Sequence, residues 1–193
     1  RDAILAVSGK LNLEMGGPSV FPEIPEGMEV RGGWKRNERE EAKNRRSIYV
    51  FVRRNSLYPM FHVFDMPDTH ESCPVRGKTI TAPQALALLN DKIILSAAQS
   101  FAGRVLQEAG KDAGAQVSSA YRLALSREPD EVEREMALAF LQKQTVLIKA
   151  RIAEKKPVAL PTDLSRDVEP ACAAALVDFC HVLFNSNEFV YIN

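Results

Sequence analysis

Residues Phe64–Asn90 read FDMPDTHESCPVRGKTITAPQALALLN, and the two halves of this stretch pose different questions. The first crowds Asp65, Asp68, His70, Glu71, Cys73 and Arg76 into a loop stiffened by Pro67 and Pro74. The second starts a helix. Thr81 with Gln84 after it has the capping-box pattern, in which the side chain at N3 reaches back to the N-cap backbone, and Pro83 sits in the first turn, where a missing N–H removes no helical bond. An apolar stripe then runs through Leu86, Leu89, Ile93, Ala97, Phe101 and Val105 to Gly110, at the steps of three and four that mark one helix face. Asn90 and Asp91 are where this helix can divide in two.

Working outward, Val117, Ala120, Tyr121, Ala124 and Leu125 write a further helix that ends before Pro129, because the residue ahead of proline is pushed out of the α region. After the turn SREPD, Asp130 caps another helix with Glu133 reaching back. Val132, Met136, Phe140 and Leu147 are expected on its buried side, to about Ile152. Lys155–Val168 contains Pro157 and Pro161 and reads as a loop. A last helix begins near Pro170 with Ala173, Leu176, Val177, Cys180, Leu183 and Phe184 on one core-facing stripe, and Asn185 can end it. Phe189–Ile192 suits a short strand or a docked tail.

Upstream, Arg1–Ser8 is helix-like with Gly9 as its C-terminal cap, and Gly16–Gly33 is loop punctuation rich in Gly and Pro. Lys35–Arg46 mixes charges of both signs and reads as a solvated face. Ser47–Val52, SIYVFV, is β-branched and aromatic on both alternating sets, so a strand covered on both faces is expected, flanked by Arg45, Arg46, Arg53 and Arg54. These arginines should snorkel to water or meet carboxylates such as Asp65 and Asp68. The expected fold is mainly α: an irregular bundle of five to six helices with one or two short β-strands, one domain over residues 1–193. The chain opens at Arg1, already inside a helical pattern, and is expected to be a piece of a longer protein.

The 25 basic and 25 acidic side chains cancel, so the counterion release that drives nucleic-acid binding has no evident source, and nucleic acid is not an expected partner. No apolar run reaches the ~18 residues of a membrane span. The three cysteines, Cys73, Cys172 and Cys180, are too scattered for a zinc knuckle, and no CxxCH motif attaches a c-type haem here. Neither a P-loop, nor G-x-S-x-G, nor a dinucleotide fingerprint is present.

The chemistry-bearing residues therefore concentrate in the 64–80 loop. Asp65, His70, Cys73 and Arg76 are the candidate catalytic set, and Arg46, Arg53 and Arg54 the candidate ligand-binding set. Each has a structural reading beside the functional one. Asp65 can anchor the loop by accepting hydrogen bonds from backbone N–H groups or an arginine. Cys73 lies near positive charge and a helix start, which favour a thiolate, but Glu71 opposes this and only His70 offers a base. The set lacks spaced pairs that hold a metal, so no metal site is expected. Cys180 and His181 are adjacent on a helix and point apart.

The order RRSIYVFVRRN, FDMPD, Cys73 and Arg76, TAPQALALLND, SREPDEVE and LFNSNEFVYIN, preceded by RDAILAVSGKLNLEMGGPSV, resembles the domain of unknown function 1553 family, abundant in planctomycetes. The resemblance covers nearly all of the chain. It implies a large exported parent protein, hence an extracytoplasmic location, with other domains of that protein as partners and often a cytochrome c domain upstream. On that analogy no cofactor belongs to this piece, and haem c would be carried elsewhere in the parent chain. It implies a binding or scaffold role, with polysaccharide as a candidate ligand. The competing reading is an enzyme, an oxidoreductase or a glycan-acting one, with its site in the Asp65–Arg76 loop.

Overall fold

The computed structural model describes residues 1–24, 34, 39–53, 57–67, 69–75, 77 and 79–191. It is mainly helical. In chain order the helices are α1 (Asp2–Val7), α2 (Glu40–Lys43), α3 (Pro59–Val63), α4 (Ala82–Asn90), α5 (Lys92–Ala109), α6 (Ala113–Leu125), α7 (Glu131–Ala153), α8 (Pro170–Phe184) and α9 (Asn187–Val190).

The boundaries follow local chemistry. Gly9, at φ +74°, closes α1: the Lys10 N–H donates to the Leu5 carbonyl and the Gly9 N–H to that of Ala6, the paired bonds of a Schellman end. The Thr81 N–H donates to Gln84 Oε1 at 3.1 Å, the reciprocal half of the capping box that starts α4. Asp91 separates α4 from α5 by accepting from the Ile93 N–H, and Asp112 starts α6 by accepting from the Ala115 N–H. At α7 both halves of the box form, with Glu133 N–H to Asp130 at 2.7 Å and Asp130 N–H to Glu133 at 2.8 Å. Loss of any one of these caps costs about 1 kcal/mol.

Helix α8 is the axis of the core. Ten of its fifteen residues are buried, and α7, α5 and α6 pack around it. Phe184 stacks on Phe101 of α5 at 5.4 Å, and Phe189 of α9 closes over Phe184 at 5.1 Å. His181 Nε2 shares a hydrogen bond with the Leu88 carbonyl at 2.8 Å, and Asn185 donates to the His181 carbonyl, so the ends of α4 and α8 are tied together. A smaller cluster of Val20, Val50 and Tyr58 lies under Trp34, Tyr49 and Phe61 on the N-terminal side.

Several expectations are corrected. Ser47–Tyr49 is a 3-10 turn, not a strand, and Ile48 is 79% exposed. Two bridges beside it are isolated: Val50 pairs with Val20, and Arg45 with Asn12. A β-prone composition makes a strand only where a ladder partner is available along its length. Arg45 is buried and, among the described residues, meets carbonyls in place of a carboxylate. Its guanidinium donates to the carbonyls of Glu14, Gly16 and Pro18 and lies 3.9 Å over the Tyr49 ring, which folds the 14–20 loop around it. On α4 the buried residues are Gln84 and Leu88, while Leu86 and Leu89 are exposed. On α7 the buried residues are Ala137, Leu141 and Ile148, one position on from the expected face. Of the two readings of the tail, docking holds and the strand does not: residues 187–190 form α9, with Phe189 against Phe184.

Candidate functional site

The polar loop begins where α3 ends. Asp65 takes a left-handed backbone conformation, φ +57°, which an aspartate tolerates better than most residues. This turns its carboxylate toward the far end of the loop, where it accepts from the Thr79 N–H at 2.8 Å and from the Thr79 hydroxyl at 2.8–2.9 Å. Behind it lies the buried amide of Gln84. Its Nε2 donates to the Val63 carbonyl and the Thr79 hydroxyl, both at 3.1 Å, and to Asp65 at 3.4 Å. Its Oε1 accepts from the Thr81 N–H and from the Tyr191 hydroxyl. One residue thus joins the end of α3, the loop, the start of α4 and the C-terminal tail.

Beyond this clasp the loop projects into solvent. His70, Glu71 and Cys73 are exposed, and the Cys73 thiol donates to the Val75 carbonyl two residues on, at 3.2 Å. Arg76, Asp68 and Lys78 lie outside the described residues, as does Arg54. Arg46 is exposed at the start of the 3-10 turn and Arg53 is half-buried. The candidate acid is therefore turned toward Thr79 and Gln84, whereas His70 and Cys73 stand on the exposed arc. Among the described residues no group of three or more His, Cys, Asp and Glu side chains gathers in a way that could hold a metal ion. No described helix is long and apolar enough to cross a membrane.

Two concavities were not legible in the sequence. A cavity of about 280 Å³ lies between α1, the start of α5 and Tyr58, with Arg1, Lys10, Lys43 and Lys92 among its walls. A groove of about 830 Å³ runs between α6, α7 and the start of α8. Its floor is apolar, with Leu106, Leu138 and Leu141, and its rim carries the ion pairs Lys111–Asp167 at 2.6 Å and Lys149–Glu169 at 2.9 Å. Cys172 sits on this rim and donates to Glu169 at 3.3 Å. Burial and the neighbouring Glu169 push its thiol above the ordinary value, the opposite of what a nucleophile at neutral pH needs. The walls come from residues 106 to 173, and no contiguous motif could have announced them.

Two residues of the C-terminal stretch LFNSNEFVYIN have structural partners. Glu188 pairs with Arg127 at 2.7 Å, and Phe189 packs on Phe184. No curated protein and no solved structure matches the chain. The model of one protein family does, over residues 1–141, from α1 into the middle of α7. With close to three quarters of its length matched, the chain belongs to the PSD1 family, described as protein of unknown function (DUF1553).

Proposed function

We propose that this chain is a non-catalytic binding or scaffold module of an extracytoplasmic multidomain protein, working beside a cytochrome c domain of the same parent chain, with polysaccharide as its ligand class. The observation that carries the non-catalytic part is the Asp65–Thr79–Gln84 clasp. Among the described residues of the loop, Asp65 is the acid turned inward: it accepts from the Thr79 N–H at 2.8 Å, from the Thr79 hydroxyl shared between its two oxygens at 2.8–2.9 Å, and at longer range from Gln84. A carboxylate occupied this way by the far end of its own loop is a loop anchor and is not presented to a substrate as a base. The location, the haem-bearing neighbour and the polysaccharide rest on family resemblance. The groove between α6 and α8 has the size of a small-ligand site and adds a surface on which binding can occur.

The competing reading, an enzyme with its site in the loop, draws on the exposure of His70 and Cys73 on one short arc. Affinity electrophoresis of the intact parent protein through gels containing soluble polysaccharides separates the two. The module reading expects retardation that survives His70→Ala and Cys73→Ala. A turnover reaction of the parent protein that either substitution abolishes at unchanged melting temperature overturns it.

A further inference from the structure

Helix α7 has two apolar faces, and among the described residues only one is covered. Ala137, Leu141 and Ile148 are buried, with α8 and α6 packed against the helix. On the opposite side Val132, Met136, Ala139, Val146, Ala150 and Ala153 are all exposed, with Lys143 midway along the row. Val132, Met136 and Val146 are 64%, 68% and 65% exposed. With Lys143 included, the steps along this row alternate four and three without a break, which is the spacing of a coiled-coil seam. Because the mean step is shorter than the helical repeat, the row stays on one line only if two helices wind around each other.

We propose that this face pairs with the same face of a second copy of the chain, the two α7 helices running antiparallel about a two-fold axis beside Lys143. In that register Val132 meets Ala153 of the second copy, Met136 meets Ala150, and Ala139 meets Val146, so each of these layers sets a larger side chain against alanine, with the two Lys143 at the axis between them. Charge selects the same direction. Glu135 and Lys149 are exposed on one flank of the row. The antiparallel pairing brings each to the other across the axis, twice by symmetry. A parallel pairing puts this flank on opposite sides of the seam, so Glu135 and Lys149 no longer meet across it. Lys149 already holds Glu169 at 2.9 Å, and a second carboxylate joins that cation. Gln142, Val146 and Lys149 also line the groove beside α8, so a helix lying on the row covers the edge of that groove as well.

The interface is a modest one. A helix of 23 residues is about 34 Å long. One such pair stays below the roughly 1,200–2,000 Å² of a standard interface, which places the dimer in the weak, reversible class. Two Lys143 side chains near the axis weaken it further, in the way a single charged seam residue trades affinity for register.

The test is sedimentation equilibrium of the full chain from about 1 μM to about 1 mM. The expected result is a reversible monomer–dimer equilibrium. Val146→Glu, on an exposed site that leaves the fold intact, weakens it by more than tenfold, and Lys143→Leu tightens it. Glu135→Lys weakens it about tenfold, and the charge swap Glu135→Lys with Lys149→Glu restores it. A chain that stays monomeric throughout leaves the face to another domain of the parent protein and overturns the proposal. So does a dimer indifferent to Val146→Glu, or one that the charge swap fails to restore.

Discussion

Arg127 shows how much a single side chain can organise where two helices meet. It sits in the turn between α6 and α7 and grips Glu133 at 2.6–2.7 Å and Glu188 at 2.7 Å, with its guanidinium 5.4 Å over the Tyr121 ring. Those hydrogen bonds hold the Glu133 carboxyl down at about 2, against an ordinary 4.5, and pull Glu188 down in the same direction. A carboxyl whose pKa is lower folded than unfolded stabilises the fold above its unfolded pKa, and this stabilisation drains away as pH falls through the folded one. Both partners are well exposed, so solvent screening limits the cluster to about 1 kcal/mol. Arg127→Gln is therefore expected to melt below the parent chain at neutral pH, with the gap closing as the pH drops from about 5 to about 2. Thermal melts across that range check it, and a gap independent of pH would show that Arg127 acts through packing on Tyr121. At this scale the sequence is informative about caps and uninformative about partners. The Asp130–Glu133 box was readable because both residues are local. The reach of Arg127 to Glu188, 61 residues on, was not.

At the scale of elements, glycines separate the places where backbones touch from the places where they do not. Gly103 lies mid-way along α5, and a Cβ there would come 2.6 Å from the Thr162 carbonyl oxygen. That carbonyl belongs to a segment tied to α5, with Gln99 donating to Leu160 at 2.7 Å and the Thr162 N–H donating to the Gln99 carbonyl at 3.3 Å. Alanine at 103 must push this backbone away, and the overpacking cost of about 1–3 kcal/mol exceeds the ~1 kcal/mol gained in helix propensity. Gly114, in the first turn of α6, faces side-chain ends and no backbone: the tip of Arg134 at 2.9 Å and the Asp112 carboxylate at 3.3 Å. Gly103→Ala should thus lower the melting temperature by several degrees, while Gly114→Ala leaves it unchanged or raises it; equal effects would mean that the 157–162 segment yields freely. Which face a helix buries was the least legible property. Leu86 and Leu89 outweigh Leu88 and Gln84 on any hydrophobic count, yet α4 turns the latter pair inward because Gln84 finds five hydrogen-bonding partners there. On α7 both faces are apolar, so periodicity alone could not choose between them. For the loop, the sequence already contained Asp65 as an anchor, but Thr79 and Gln84 as the groups it anchors to emerge only from the turn at φ +57°.

The whole molecule depends on a helix that the matched part of the family model leaves out. The match ends at residue 141, inside α7 and before α8, whereas the largest fully buried side chains include Phe184, Leu176 and Val177 of α8 beside Phe101 and Val105 of α5. Without α8, the inner faces of α5 and α7 lose the element each packs on most, and their remaining contacts with α6 are narrower. A chain ending at residue 141 is expected to keep some helical circular dichroism but lose its cooperative melt and bind an apolar dye, the signature of secondary structure without fixed packing. In the full chain the three cysteines report the same dependence. Cys73 and Cys172 are exposed, and Cys180 is fully buried on α8, where burial pushes its thiol well above the ordinary value. A thiol reagent should modify two cysteines quickly and Cys180 only as the whole domain opens, so that the third modification, followed by mass spectrometry, keeps pace with global unfolding as denaturant is added. Were Cys180 to react as fast as Cys172 under native conditions, α8 would be opening by itself, and the core would have to be organised around α5 and α7 instead.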